Sequence, residues 1–121
     1  MLPREHRLTR SRDFVRVRRR GRSVGSGLAT LYIVPAENDT VRVGFSVSKR
    51  VGKAVIRNRV KRLLREAVRR QLLSIRPGCD LVFIARPSAA QATYRQVLDA
   101  VSYLLRRSGA LCRPVPRPDH A

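Results

Sequence analysis

Apolar residues recur along this chain at two spacings, and the change from one to the other marks out its elements. Phe14 and Val17 share one side of a short helix that Ser11 is placed to cap and that ends near Gly21. Leu28 to Val34 is apolar and rich in β-branched and aromatic residues, which predicts a strand, and Pro35 to Thr40 supplies turn chemistry. Val41 to Val47 alternates: Val41, Val43, Phe45 and Val47 point one way, Arg42, Gly44 and Ser46 the other. These two strands are expected to pair as an antiparallel hairpin. Ile56, Val60, Leu63, Leu64 and Ala67 then recur at spacings of three and four, the stripe of a helix that faces a core. That helix is expected to run to about Ile75, because Pro77-Gly78 cannot extend it. Leu81 to Ala85 is wholly apolar, as a strand covered on both faces must be. Thr93 and Gln96 fit a capping box, followed by an amphipathic helix on Tyr94, Val97, Leu98, Val101, Leu104 and Leu105 that stops at Ser108-Gly109.

The order helix, strand, strand, helix, strand, helix predicts an α+β fold, a two-layer sandwich of helices on a small sheet, and a further short strand is compatible with it. At 121 residues and 13.7 kDa the chain has the size of one domain. Residues 1–10 read as an extended basic arm. Residues 113–121, with Pro114, Pro116 and Pro118, read as a disordered tail, which leaves 1–112 as the domain.

Charge changes the picture. Against 8 Asp and Glu stand 27 Lys and Arg, a net charge of +19 and a pI of about 11.9. Such a domain repels itself and seeks polyanions. On the predicted central helix, the positions turned away from the apolar stripe are Asn58, Lys61, Arg62, Arg65 and Arg69, and Glu66 is the one acid between Lys49 and Arg70. A merely solvated face usually mixes signs so that acids and bases pair at i,i+4. Like charges gathered on one helix cost free energy unless a polyanion neutralises them, so the ridge is better explained as a surface for phosphates.

No catalytic constellation accompanies it. The acids are scattered, His6 and His120 lie near the two ends, and Gly25-Ser26-Gly27 lacks the Gly-Lys-Ser/Thr of a phosphate-binding loop. Cys79 and Cys112 have no paired spacing, which argues against a zinc site. With no apolar leader segment and no run approaching a membrane span, the expected setting is cytoplasmic, with reduced thiols and no membrane partner.

The run from Lys49 to Arg69, with Arg57-Asn58-Arg59 inside it and Phe45-Ser46-Val47-Ser48 before it, resembles the signature of the protein subunit of bacterial ribonuclease P. Arg7-Leu8, Ser11, Asp13-Phe14, Gly21, Tyr32 and Ile84-Ala85-Arg86 fit the same family, so the resemblance spans about residues 3–108. It implies a ribosomal-protein-S5-domain-2-like fold with a left-handed crossover around the central helix. It implies a protein that assists an RNA subunit, with bound magnesium, in cutting the 5′ leader from precursor tRNA. No cofactor would then be intrinsic to the protein, and no residue catalytic or metal-binding. Carried over by motif, the residues facing the catalytic RNA are Lys49, Arg50, Lys53, Arg57, Asn58, Arg59, Lys61, Arg62, Arg65 and Arg69; Arg57 and Arg59 lie toward the helix edges. Asn58 has a phosphate, a 2′-OH or a neighbouring loop open to it. Phe14 and Tyr32 match the family's aromatic leader-binding positions, against the plain alternative that they pack on the sheet. Where many relatives carry a second aromatic one turn after Phe14, this chain has Arg18, which can stack on a base or grip a phosphate. A ribosomal or general RNA-chaperone protein would share the basic charge, and a stand-alone nuclease is disfavoured by the missing acid cluster.

Overall fold

In a computed structural model, which describes residues 4–36 and 39–111, the chain forms α1 (Ser11–Arg20), β1 (Arg22–Gly25), β2 (Ala29–Pro35), β3 (Val41–Ser46), α2 (Ala54–Arg69), β4 (Cys79–Ala85) and α3 (Tyr94–Arg107). Short 3-10 turns fall at Arg4–His6, Leu72–Ser74 and Pro87–Gln91. The strands make one sheet in the order β1-β2-β4-β3.

The expected hairpin does not form. β4 lies between β2 and β3, antiparallel to β2 and parallel to β3, with Leu31 opposite Phe83 and Val43 opposite Leu81. The reason is burial. β4 is apolar at nearly every position and buried from Cys79 to Phe83, so it belongs in the centre, whereas alternating β3 tolerates an edge. A parallel β3–β4 pair needs a crossover, and α2 is that crossover.

Alternation sorts the side chains onto two faces. On one, Leu31, Val43, Leu81 and Phe83 meet Val60, Leu64, Ala67 and Val68 of α2 and Val97, Val101, Leu104 and Leu105 of α3 in the main core. Phe45 and Phe83, register partners, stack at 5.8 Å. On the other face, α1 covers a smaller cluster in which Leu8, Val17 and Val82 are buried, with Phe14, Tyr32, Val34 and Ile84 around them.

The N-terminal segment is not an extended arm from residue 4 onward. Leu8 is buried, its N–H donates to the Val43 carbonyl (2.9 Å), and His6 Nδ1 donates to the Val41 carbonyl (2.7 Å), so this segment is tied to the open edge of β3. Ser11 begins α1 rather than capping it; the cap position is Arg10, with no side-chain cap bond. α2 ends at Arg69, and the 3-10 turn at Leu72–Ser74 carries the chain on to Ile75. The Thr93 capping box forms as expected, Gln96 N–H donating to Thr93 Oγ1 (3.2 Å) and Thr93 N–H to Gln96 Oε1 (2.9 Å). Cys79 is buried on β4. Cys112, His120 and the Pro-rich segment 113–121 lie outside the described residues.

Candidate RNA interface

α2 turns its buried stripe to the sheet and α3, which leaves its polar side outward. Asn58, Lys61, Arg62 and Arg65, with Glu66, line a groove of about 460 Å³. The predicted ridge is therefore the wall of a concavity, a shape that can follow a phosphodiester strand. Before α2, a turn closes with Val51 N–H donating to the Ser48 carbonyl and Gly52 N–H to the Lys49 carbonyl (3.1 and 3.2 Å). Val51 is driven into the core, and Lys49, Arg50 and Lys53 are left exposed around it. Gly52 at φ +154° is what permits this: a Cβ there would be strained and would crowd the Ile56 side chain at 3.0 Å.

Not every cation of the motif faces the groove. Arg59 donates from its guanidinium to the carbonyls of Ala92 (2.8 Å) and Ala90 (3.4 Å), fastening α2 to the turn at Pro87–Gln91. Arg69 grips Glu66 through both Nε and Nη2 (2.9 Å each), which holds the Glu66 carboxyl down at about 2. Arg57 is half-buried, its Nε–H without a hydrogen-bond partner among the described residues. Among the described residues, the positive wall without a hydrogen-bond or ion-pair partner is thus Lys61, Arg62 and Arg65.

On the opposite face of the sheet, Phe14 lies flat against β3 because residue 44 is glycine; a Cβ there would stand 2.5 Å from Phe14 Cζ. Tyr32 sits half-buried in the same apolar cluster, and Arg18 is exposed one helical turn beyond Phe14. A second groove, about 210 Å³, is lined by Arg7, Leu8, Thr9, Phe14, Val43, Phe45 and Arg65. Arg65 lines both grooves. The sequence pattern placed Phe14 and Arg65 in separate sites; only the docking of Leu8 on the β3 edge brings them to one channel, and Arg7 and Thr9 with them.

α1 is also held by charge. Asp80, 0% exposed on β4, accepts from Arg42 Nε (3.0 Å) and Nη2 (2.8 Å) and from Arg16 Nη2. The hydrogen bond to Asp80 pushes the Arg42 guanidinium above its ordinary value. Nothing in the sequence pattern singled out this clamp; an acid inside an otherwise apolar strand, in register with an arginine on its neighbour, was the available signal.

These features define a class: an α+β domain that presents a cationic groove on a crossover helix, with Asp80, Glu66 and Asp99 tied to arginines and, among the described residues, no group of three or more His, Cys, Asp or Glu arranged to hold a metal ion. Comparison with known proteins narrows it. A family model described as Ribonuclease P matches residues 2–109. The ribonuclease P protein component of Clostridium novyi is 42% identical over 110 residues, covering 89% of this chain and 97% of that protein. That of Exiguobacterium sibiricum is 39% identical over 115 residues, covering 94% and 99%. Solved structures of the ribonuclease P protein from Staphylococcus aureus (TM-score 0.82, 32% identity, 88% of this chain and 97% of that one) and Thermotoga maritima (TM-score 0.76, 30% identity, 84% and 96%) share the fold. The chain belongs to the ribonuclease P protein family, the protein subunit of a ribonucleoprotein of tRNA processing. Its partner in that particle is RNA.

Proposed function

We propose that the groove on α2 docks on the catalytic RNA subunit of ribonuclease P, while the channel at Phe14 receives the unpaired 5′ leader of precursor tRNA. The single observation that carries this reading is Arg65, which lines the cationic groove and the aromatic channel at once. One side of it meets phosphates of a structured RNA; the other leads to Phe14 and, across the sheet face, to Tyr32, where unpaired bases can stack because every base has a π-face. Lys49, Arg50 and Lys53 extend the docking surface from the turn before α2. Arg18 takes a leader phosphate or base where relatives carry an aromatic. Arg59 supports the helix from behind.

In this reading the bond is cut by the RNA with its magnesium, in the cytoplasm, and the protein orients and neutralises. The charge pattern supports that division of labour: Asp80, Glu66, Asp99 and Asp13 each have an arginine partner, Asp13 and Asp80 sharing Arg16, so these carboxylates serve ion pairs within the protein. No helix among the described residues is long and apolar enough to cross a membrane.

The test is to add the purified chain to a bacterial ribonuclease P RNA and precursor tRNA at low magnesium. Faster cleavage at the mature 5′ end is expected. Cleavage without that RNA would mark a protein nuclease, and stimulation of unrelated RNA foldings with none of precursor cleavage would mark a general RNA chaperone.

A further inference from the structure

α3 carries a surface that neither groove uses. Its core side is Val97, Val101, Leu104 and Leu105. Its outer side runs Arg95, Asp99, Tyr103 and then Arg106 and Arg107, which at three and four residues beyond Tyr103 fall one helical turn further along the same side. Arg95 and Asp99 pair with each other at 3.7 Å. Tyr103 is 40% exposed, and Leu73, in the turn after α2, is 100% exposed. Gln71, two residues before Leu73, donates to Ser102 Oγ at 3.0 Å, which fixes that turn beside this stretch of α3.

The plain explanation of Arg106 and Arg107 is that they serve the negative end of the helix. The end of α3 is already served. Its last carbonyls accept from the N–H groups of Ser108 (Leu104), Ala110 (Leu105) and Gly109 (Arg106), and the Ser108 carbonyl accepts from Arg22 Nη2 at 2.7 Å. Arg106 and Arg107 are exposed, with no acid in reach among the described residues. A second copy of this chain would bring equal positive charge to the same patch, at +19 per molecule, so self-association is opposed. An exposed aromatic one helical turn from two exposed arginines fits an unpaired nucleotide: the base on the ring, its adjoining phosphates on the guanidinium groups.

We propose that Tyr103, Arg106 and Arg107 form a second RNA contact, one that takes an unpaired nucleotide of a structured RNA on the far side of the sheet from Phe14. It rests on the reading that this chain works while bound to RNA, but not on which groove docks the catalytic subunit.

Two variants test it in the full chain: Tyr103→Leu, which keeps apolar bulk and removes the π-face, and Arg106→Gln with Arg107→Gln. Each is measured for melting temperature, for affinity to ribonuclease P RNA, and for affinity of the RNA-bound chain to precursor tRNA, beside Arg62→Ala/Arg65→Ala. The expected result is unchanged melting, with affinity for one of these RNAs reduced about 5-fold to 150-fold by Tyr103→Leu. The double variant should flatten the slope of log affinity against log salt by about 1.4 to 1.8, two phosphates at roughly 0.7 to 0.9 each. Folded variants that bind both RNAs as the parent does would overturn the proposal. So would concentration-dependent dimerisation that Tyr103→Leu abolishes while RNA binding is untouched. If Arg62→Ala/Arg65→Ala alone weakens binding, only this second surface fails; if no variant does, the underlying RNA-docking reading fails with it.

Discussion

Arginines in this molecule live in two conditions, and the contrast separates what holds the fold from what it is for. At the sheet face under α1, Arg16 and Arg42 close on a fully buried Asp80, with hydrogen bonds filling the carboxylate oxygens. On the outer side of α2, Arg62 and Arg65 line an open groove in which the nearby Glu66 is already held by Arg69. The first set has its counter-charge built in. The second has none among the described residues, and a groove of like charges carries a cost that a bound polyanion would relieve.

Breaking the inner set should have the largest effect. Asp80→Asn leaves two guanidinium groups facing a site that no longer carries a charge, and removing one partner of a buried pair costs about 3 to 5 kcal/mol. The low end is expected, since both arginine side chains are 30% exposed. Val17 is the one fully buried side chain that α1 contributes, so α1 should loosen first. Denaturant unfolding, with hydrogen exchange of the α1 amides, measures both; an Asp80→Asn protein as stable as the parent would put the clamp on a par with a surface pair.

The aromatic channel comes next in size. Tyr32→Ala should lower affinity for long-leader precursor by about 5-fold to 150-fold, the worth of one base stack, and should change binding of a one-nucleotide-leader substrate much less. Phe14→Ala should act similarly but with a stability loss of its own, because that ring is packed over Gly44. An equal effect on both leader lengths would make these rings packing residues alone.

The smallest change sharpens the contrast at one residue. Glu66→Gln releases Arg69 into the groove wall, so RNA affinity should rise severalfold at most. Acid does the same by protonation: a carboxyl lowered to about 2 contributes stability above its unfolded value near 4.5, and that contribution fades as pH falls from there toward 2. Affinity for RNA that drops in Glu66→Gln would mean Glu66 itself contacts the partner.

How much of this was legible in the sequence follows from the range of the forces involved. The helical stripes, the capping box at Thr93 and the doubly covered β4 were readable, because each is set by neighbours within a few residues. The α2 wall was readable for the same reason, one helix turning its polar side out. Strand order was not. Alternation shows which face of β3 is buried but not which strand pairs with it, and the choice went to β4 because only the centre of the sheet covers both of its faces. Arg59 looked like its neighbours in the motif, yet its partners, the carbonyls of Ala90 and Ala92, lie some thirty residues away in the chain. Arg65 reads as a ridge residue from sequence alone; its place in the Phe14 channel depends on Leu8 reaching the β3 edge.

The central claim, that the α2 groove is an electrostatic seat for RNA and the Asp80 clamp a structural one, is tested most directly by the salt dependence of affinity for ribonuclease P RNA in the parent, Arg62→Ala/Arg65→Ala and Asp80→Asn proteins. With on the order of 6 to 10 phosphate contacts, the parent should lose about 10³ to 10⁵ in affinity between 50 and 200 mM salt. The groove variant should show a slope shallower by about 1.4 to 1.8 with stability changed by less than about 0.5 kcal/mol, and folded Asp80→Asn should keep the parent slope. A groove variant that keeps the parent slope and loses stability instead would contradict the account.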